Sequence, residues 1–457
     1  MNVIIDIFGY ISGLGAAVMM PIIIFIMGVC FRAPVGKALR AGLIVGVGFI
    51  GLNLVVGLLG GSLGPAVQEM VTRYGFSLDA IDIGWVPAAA IAFASQIGAI
   101  IIPVGILVNI VMLLTRTTQT VNIDIWNYWH FAFTGAMIQS LTGSMAMGIA
   151  AAALNMIIVM VIADRTARGL EKYNGLPGIS IPHGFTAAFV PIAAVFNWLL
   201  NLIPALKKIN VNMDTIQKRL GVFGEPVLIG VIFGIVIGFL AGYDVQAVAG
   251  MAITLGAALV LIPKMAALLM EGLIPVSDAA QVFIEKRFKR RGRIYIGLDS
   301  AVGIGHPLCM TCALILVPLS IVLAIILPGN RVLPFGDLAV LPFVFVLIIP
   351  ITKGDFVKSL IIGFLTLGIM LYAGTSMIDL FMSTAKTADP ATYVDYPGNF
   401  SSICDGSNPL TWAMVELGRL EWIGVGIMAV ISGGLAFWNR KLIGKETVED
   451  EAAAAEA

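Results

Sequence analysis

The chain has 457 residues, of which 59% are hydrophobic and only 12% are charged, and its 27 basic side chains balance its 27 acidic ones. Because about a quarter of the residues in a soluble domain are charged, this composition excludes a water-soluble globular protein. A net charge of zero leaves no basic surface for nucleic acid, so no such partner is expected.

Apolar blocks follow one another along the chain, and most reach the roughly 20 residues that a helix needs to cross a bilayer. They are apolar on every face, whereas the strands of a membrane barrel alternate, so we predict an all-α polytopic membrane protein. About eleven transmembrane helices are expected, from residues 8–30, 41–59, 85–113, 131–163, 181–203, 227–241, 245–262, 296–327, 333–351, 356–380 and 410–437.

The segments between the blocks differ in charge. Residues 31–40 and 285–293 are rich in Lys and Arg, which predicts a cytoplasmic location. Residues 60–84 and 385–409 carry more acids than bases and are expected outside. The N-terminus is predicted outside, and residues 441–457 are predicted to form a cytoplasmic tail.

Two blocks, 131–163 and 296–327, are unusually long, and proline interrupts the segment after each. Broken segments in corresponding places of two halves are the best sequence indicator of a transporter's substrate site. We therefore predict re-entrant segments at 181–203 and 333–351, within a single transporter unit whose scaffold and core parts are interleaved. A plain eleven-helix arrangement has the same termini and stays open.

The run Asp124-Ile125-Trp126-Asn127-Tyr128-Trp129-His130 leads directly into an apolar block. Asn127 and His130 provide directional hydrogen bonds, and the aromatic rings can lie against the C–H faces of a sugar. We interpret the run as a candidate substrate site, with an interfacial aromatic belt as the alternative.

Two further histidines lie beside helix irregularities. His183 stands between Pro182 and Gly184, and His306 precedes Pro307. Backbone groups freed at such breaks can contact a ligand, so both histidines are candidate substrate ligands. A structural histidine is the alternative in each case.

Ionisable residues inside a membrane are costly and functional by default. Asp337 lies in an apolar run and is the preferred catalytic residue, as an acceptor of substrate hydroxyl hydrogens and a general base. Glu225 competes with it, although a carboxylate before Pro226 also suits a helix N-terminus. Gln96 is a further candidate ligand, or alternatively a helix-packing contact.

Motifs for other chemistries are weak or missing from the sequence. Cys309 and Cys312 have CxxC spacing but no second pair nearby, which is typical of small core residues rather than a metal site. No GxxxxGK[ST] phosphate loop occurs, so ATP hydrolysis by this chain is excluded. Neither a metal nor a cofactor is expected.

Short motifs extend from the second apolar block to the ninth: Ala41-Gly42-Leu43, Ala94-Ser95-Gln96, Trp129-His130, Phe133-Thr134-Gly135, Ile181-Pro182-His183-Gly184, Phe223-Gly224-Glu225-Pro226, Gly297-Leu298-Asp299, Gly305-His306 and Val332 to Ala339. Together they resemble the galactitol-specific enzyme IIC family of the bacterial phosphoenolpyruvate-dependent phosphotransferase system. The chain after Leu380 departs most from that pattern.

The resemblance implies an elevator-type homodimer in the inner membrane, related to the ascorbate permeases. It also implies that a phosphocysteine on a separate IIB protein, working with IIA, phosphorylates the polyol on the cytoplasmic side. It carries substrate contact over to His130, His183 and Asp337, with Gln96 as a further residue.

The first functional hypothesis is therefore a phosphotransferase-system permease for galactitol or a close polyol. An ion-coupled secondary transporter of a small polar solute is the alternative. A receptor or scaffold would not need broken helices that bear His and Asp. The basic residues 285–293 are expected to attract either anionic membrane lipid or an acidic patch on IIB.

Overall fold

The computed structural model of the chain describes residues 16–75, 78–208, 211, 225–287, 293–334, 336–396 and 398–456. Its first half contains α1 (Ala16–Cys30), α2 (Val35–Tyr74), β1 (Ala80–Asp82), α3 (Trp85–Ala94), α4 (Gly98–Leu114), β2 (Thr120–Asn122), a 3₁₀ turn (Ile125–Asn127), α5 (Tyr128–Thr142), α6 (Met145–Gly169) with a π-turn (Leu170–Asn174), β3 (Ile179–Ser180), α7 (Gly184–Ala188), α8 (Val190–Leu202) and α9 (Pro204–Lys207).

The second half has a closely similar order of elements. It contains α10 (Pro226–Ala241), α11 (Val245–Arg287), β4 (Tyr295–Gly297), a 3₁₀ turn (Ser300–Val302), α12 (Pro307–Ile326), β5 (Val332–Leu333), a 3₁₀ turn (Leu338–Val340), α13 (Leu341–Val346), α14 (Ile348–Thr352), α15 (Phe356–Ala388), α16 (Pro390–Tyr393), β6 (Asn399–Ser401), α17 (Pro409–Gly418) and α18 (Glu421–Glu456). In both halves a helix pair precedes the first of three short strands.

The strands form two small parallel sheets that interlock the halves. The first sheet has the order β5-β1-β6 and the second has the order β2-β4-β3. The central strand of each sheet therefore comes from one half and both outer strands come from the other. Neither half can complete a sheet alone, and the loops that follow parallel strands meet at one edge of each sheet.

Six helices in the described part of the chain are long and apolar enough to cross a membrane. A seventh span is possible if α3 and α4, which bend by 87° at their break, are counted as one. The protein is thus an all-α multi-pass membrane protein, as the composition predicts. The finer count of eleven helices stays a prediction.

The two long apolar blocks fold differently from each other. The block 131–163 is divided at Gly143, which adopts a left-handed φ of 68°, and at Ser144, whose hydroxyl caps the next helix. The block 296–327 instead begins with β4 and a 3₁₀ turn, and only then forms α12. Apolar composition alone does not distinguish a pair of helices from a strand followed by one helix, because both arrangements bury the same kinds of side chain.

The order of elements also changes the expected correspondence between broken segments. Residues 181–203 follow β3 and thus correspond to residues 402–418, which follow β6. Residues 333–351 begin at β5 and correspond to the segment after β2. The two segments predicted to be re-entrant therefore do not occupy equivalent places in the two halves.

Helices α10 and α11 pack closely against each other. A Cβ on Gly230 would lie 2.6 Å from the carbonyl oxygen of Leu255, so only glycine permits this approach. By contrast, α5 lies in the core, with Tyr128, Phe131 and Phe133 fully buried. Polar residues on the first turn of α5 are consequently removed from water.

Candidate functional site

A chain of hydrogen bonds joins two histidines and an aspartate that are far apart in sequence. His130 Nδ1 lies 2.7 Å from Asp405 Oδ2, and His130 Nε2 lies 3.0 Å from His183 Nε2. The His130 side chain is 2% exposed and that of Asp405 is 0% exposed. We call Asp405, His130 and His183 the histidine chain.

The bonding partners assign a proton to each ring. The backbone N–H of Thr186 donates to His183 Nδ1 at 3.3 Å, so the proton of a neutral His183 is on Nε2. That N–H faces His130 Nε2, which must accept, and the proton of His130 is then on Nδ1 and is donated to Asp405. The carboxylate thus fixes the orientation and tautomer of the His130 ring and leaves Nε2 as its acceptor.

Local structure positions each member of the histidine chain. His130 lies in the first turn of α5, His183 is the N-cap residue of α7, and Asp405 lies in the loop between β6 and α17. The side-chain oxygen Oδ1 of Asn408 caps α17. The side-chain nitrogen Nδ2 of Asn408 donates to Asp405 Oδ1 at 3.0 Å and to the backbone carbonyl oxygen of Gly184 at 3.2 Å. The Asn408 side chain therefore ties the loop that carries Asp405 to the start of α7.

Glycine at position 184 makes room for His130. A Cβ on residue 184 would lie 2.5 Å from the Cβ of His130, closer than real Cβ contacts. Within the motif Pro182-His183-Gly184, His183 begins α7 and contributes its imidazole ring, and Gly184 leaves the space that the imidazole ring of His130 occupies.

Two carboxylates extend the polar network at the edge of the second sheet. Asp299 Oδ2 lies 3.5 Å from His183 Nε2, and Asp124 Oδ2 accepts from the backbone N–H of Asp299 at 3.0 Å. Thr186 and Ser300 share a hydroxyl hydrogen bond of 2.6 Å beside them. The edge therefore presents both donors and acceptors next to the histidine chain.

Asp337 lies at the edge of the other sheet, where its carboxylate is fully occupied. Its Oδ1 accepts from the backbone N–H of Trp85 at 2.6 Å, and its Oδ2 accepts from Ser402 Oγ and the N–H of Cys404, each at 2.8 Å. Its own N–H donates to Asp82 Oδ2 at 2.8 Å. Asp82 Oδ1 accepts from the N–H groups of Gly84 and Ile403.

We call Asp82 and Asp337 the aspartate pair. Its hydrogen bonds join the loops after β1, β5 and β6, and they account for the burial of both carboxylates. A general-base role for Asp337 stays a prediction.

The other predicted ligands bond elsewhere. Gln96 lies at the bend between α3 and α4 and accepts from Gln139 at 2.7 Å, and the two residues line a cavity of about 290 Å³. The Asn127 amide donates to Asn122 at 3.0 Å. Their contact with substrate stays a prediction.

His306 and Glu225 both stand at helix starts followed by proline. His306 Nδ1 accepts from the N–H of Leu308 at 3.2 Å, as an N-cap of α12. Glu225 is exposed at the start of α10, and its side chain makes no capping hydrogen bond. The geometry is that of helix N-termini, and neither residue joins the histidine chain.

Asp405 is the member of the histidine chain that the sequence does not indicate, because the acidic composition of residues 385–409 favours an outer loop. A signal was nevertheless present. Asn408-Pro409 is typical of an N-cap followed by the first residue of a helix, and Asp405-Gly406 lies just before it. This resembles the break that contains His183.

Three potential metal ligands, on His130, Cys404 and Asp405, lie within 4.8 Å of one another. The 2.7 Å separation of His130 Nδ1 and Asp405 Oδ2 is a hydrogen-bond distance. Two such ligands on a tetrahedral zinc ion would stand about 3.3 Å apart. The arrangement therefore fits a protonated imidazole nitrogen better than a metal.

Comparison with known proteins agrees with these features. A family described as a sugar-specific permease component of the PTS, EIIC-GAT, matches residues 10–394. An Escherichia coli (strain K12) protein described as a permease IIC component is 40% identical over 434 residues, which cover 95% of this chain and 99% of that protein. The galactitol-specific EIIC component of the PTS from the same strain is 37% identical over 412 residues, with 90% of each chain covered.

Proposed function

The chain belongs to the EIIC-GAT family of sugar-specific permease components of the phosphotransferase system, and from that premise we propose that it carries galactitol or a close polyol. It is a multi-pass inner-membrane permease, and its family works with separate IIB and IIA components. The galactitol-specific relative, 37% identical over 412 residues, supports the choice of polyol.

The observation that carries the proposed site is the buried contact between His130 Nε2 and His183 Nε2, at 3.0 Å. A hydroxyl group both donates and accepts one hydrogen bond, so it can take a place between these two nitrogens. It would accept from the N–H of His183 and donate to His130. A polyol, which has a hydroxyl on every carbon, then finds further partners in Asp299, Thr186 and Ser300.

The same geometry provides a base for phosphoryl transfer. The substrate hydroxyl oxygen attacks the phosphorus of the phosphocysteine on IIB, the bond from phosphorus to sulfur breaks, and the hydroxyl proton passes to His130 Nε2. Asp405, 2.7 Å from Nδ1, stabilises the imidazolium that forms. A correctly placed base of this kind contributes about 10²- to 10⁴-fold to the rate.

The proposal extends to the architecture. The bent pair α3 and α4 is the kind of broken helix found in transporters that work by alternating access. We extend the proposal to the elevator-type homodimer that the family resemblance implies. It includes eleven crossings, re-entrant segments at 181–203 and 333–351, an outer N-terminus and a cytoplasmic tail at 441–457.

The alternative, an ion-coupled secondary transporter, is not favoured by the family to which the chain belongs. Proteoliposomes distinguish the two functions directly. A permease of the phosphotransferase system delivers phosphorylated polyol only when phospho-IIB is supplied. Accumulation of free polyol under a proton or sodium gradient, without IIB, would overturn the proposal.

The site is tested with His130→Gln and Asp405→Asn, assayed for binding of radiolabelled galactitol and for phosphorylation with purified IIA and IIB. If His130 is the base, His130→Gln retains binding within about tenfold and loses about 10²-fold or more in phosphorylation. Asp405→Asn should lose activity in the same direction, because an amide does not stabilise the imidazolium.

Asp389→Asn is the matched control. Asp389 caps α16 at the protein surface, where Asn serves equally well as an N-cap, so this variant should behave as the unmodified protein. If His130→Gln binds and phosphorylates galactitol normally, the histidine chain is not the site.

A further inference from the structure

A large cavity lies outside the candidate site, between the α1–α2 turn and the second part of α11. Its volume is about 880 Å³, and the residues that matter for its chemistry are Arg32, Lys37, Arg40, Glu271, Pro275 and Val276. It is several times larger than a phosphate ion and combines a charged rim with an aliphatic wall. Neither property suits a polyol.

The rim is predominantly basic. Arg32, Lys37 and Arg40 face one acid among the lining residues, Glu271, which lies 2.8 Å from Arg40. The side chains of Arg40 and Glu271 are 73% and 50% exposed, and ion pairs this accessible contribute little. A multiply hydrogen-bonding anion such as a phosphate can therefore compete for Arg40.

Beside the cavity-lining face of α2, next to Arg40, runs an exposed apolar strip whose residues do not themselves line the cavity. Leu39, Leu43 and Val47 recur every four residues on one face, and they are 50%, 59% and 60% exposed. Leu43 and Val47 belong to the block 41–59, which is predicted to cross the membrane, and exposed aliphatic side chains on such a helix would face acyl chains. Helix α2 thus carries Lys37 and Arg40 on the rim of the cavity and, on a neighbouring face, a strip that hydrocarbon can cover.

The two sides of the cavity, formed by α2 and α11, pack directly against each other. Gly272 of α11 lies against Ala41 of α2, since a Cβ on Gly272 would be 2.7 Å from the Ala41 carbonyl oxygen. The sequence after Arg287 continues with several Lys and Arg residues, but these lie outside the described residues. Basic segments next to a membrane span are attracted to the anionic cytoplasmic leaflet.

We infer that this cavity binds the phosphate head group of an anionic phospholipid of the cytoplasmic leaflet, with an acyl chain along Leu39, Leu43 and Val47. The inference is independent of the proposed polyol site. It also favours lipid over IIB as the partner of this basic end of the molecule.

The test is native mass spectrometry of the full chain in detergent, titrated with phosphatidylglycerol or phosphatidylcholine. The unmodified protein should bind phosphatidylglycerol more tightly. The double variant Lys37→Gln with Arg40→Gln should bind it about 5- to 30-fold more weakly, since each cation near an anionic lipid contributes about fivefold. Binding of phosphatidylcholine should change little.

The control variant is Lys386→Gln with Arg419→Gln, which also removes two positive charges but at residues that do not line the cavity. Unchanged phosphatidylglycerol affinity in the first double variant, or an equal loss in the control, overturns the inference. So does full displacement of the lipid by millimolar inorganic phosphate, which would indicate a free-anion site. If the double variant instead shows a different ratio of dimer to monomer while its bound lipid is unchanged, the surface would be assigned to contact with a second copy of the chain.

Discussion

The aspartate pair lies at the edge of the first sheet, whereas the histidine chain joins residues that follow β2 and β3 of the second sheet to Asp405, which follows β6 of the first. The polar atoms of the two groups are used differently. The oxygens of Asp82 and Asp337 accept from backbone N–H groups and a serine hydroxyl, so the pair holds three loops together. The histidine chain contains a contact between two ring nitrogens that a hydroxyl can enter. A buried ionisable residue is therefore a better candidate substrate ligand when a substrate hydroxyl can replace its hydrogen-bond partner than when its hydrogen bonds hold the fold together.

The sharpest test of this comparison is Asp337→Asn. An amide nitrogen in place of an oxygen would face backbone N–H donors of the loops and leave at least one of them unpaired, at a cost of about 1–3 kcal/mol. We expect a lower unfolding midpoint in detergent, with binding and phosphorylation per folded molecule within a few-fold of normal.

The general-base prediction for Asp337 gives the opposite pattern. In that case stability and polyol binding are retained, and phosphorylation falls by about 10²-fold or more. Asp389→Asn again serves as the control for exchanging a carboxylate for an amide, because both side chains cap α16.

The second test disturbs the histidine chain without removing a polar group. In Gly184→Ala the new methyl group would stand 2.5 Å from the Cβ of His130 and push the ring away from Asp405 and His183. Since a displacement of about 1 Å can cost 10²-fold in rate, we expect phosphorylation to fall at least tenfold.

Gly434→Ala is the matched control, because a Cβ there meets nothing within 4 Å. It should leave transport unchanged and can slightly stabilise α18. Normal phosphorylation by Gly184→Ala would show that the close approach of residue 184 to His130 has no functional importance.

The smallest expected effect concerns the other end of the first sheet, where Arg331 bonds Asp79 and Asn399 donates to the same carboxylate at 3.0 Å. The hydrogen bond from Arg331 lowers the pKa of Asp79 below its ordinary value. Because the folded-state pKa is below the unfolded one, this contribution to stability is present above about pH 4 and is lost as the pH falls through the folded-state pKa.

The size of this effect is limited by exposure, and accessible ion pairs contribute about 0.2–1 kcal/mol. Unfolding midpoints measured between pH 3 and 6 should decline less steeply in Arg331→Gln than in the unmodified protein. Parallel pH profiles in the two proteins would show that this ion pair does not couple protonation to stability.

The sequence was most informative where the physics is local. Low charge and long apolar runs identify a membrane protein, because the cost of exposing either backbone or charge to lipid applies at every residue. Motifs such as Ile181-Pro182-His183-Gly184 indicated the family, and the family model matches residues 10–394. Asp405 lies outside the motifs that carried the resemblance, which end at Ala339.

His130 and His183 were recognised as candidate ligands, yet their contact with each other and with Asp405 was not. The bonded residues are 53 and 275 positions apart in the chain. Similarly, the acidic composition of residues 385–409 suggested an outer loop, although one of its carboxylates is completely buried. Composition averages over a segment and does not report which side chain turns inward.

The sequence by itself therefore determined that the protein lies in a membrane, that it is mainly helical, which family it belongs to and which polar residues are most of the candidates. The tertiary structure alone decided which of them meet, because strand pairings such as Ala80 with Val332 connect residues of opposite halves. Those pairings bring the loops after the strands to common edges, and there each carboxylate or imidazole takes its hydrogen-bond partner. Asp337 and His130, both buried acceptors in apolar surroundings, differ in their partners, and those are set by the fold and not by neighbouring residues in the chain.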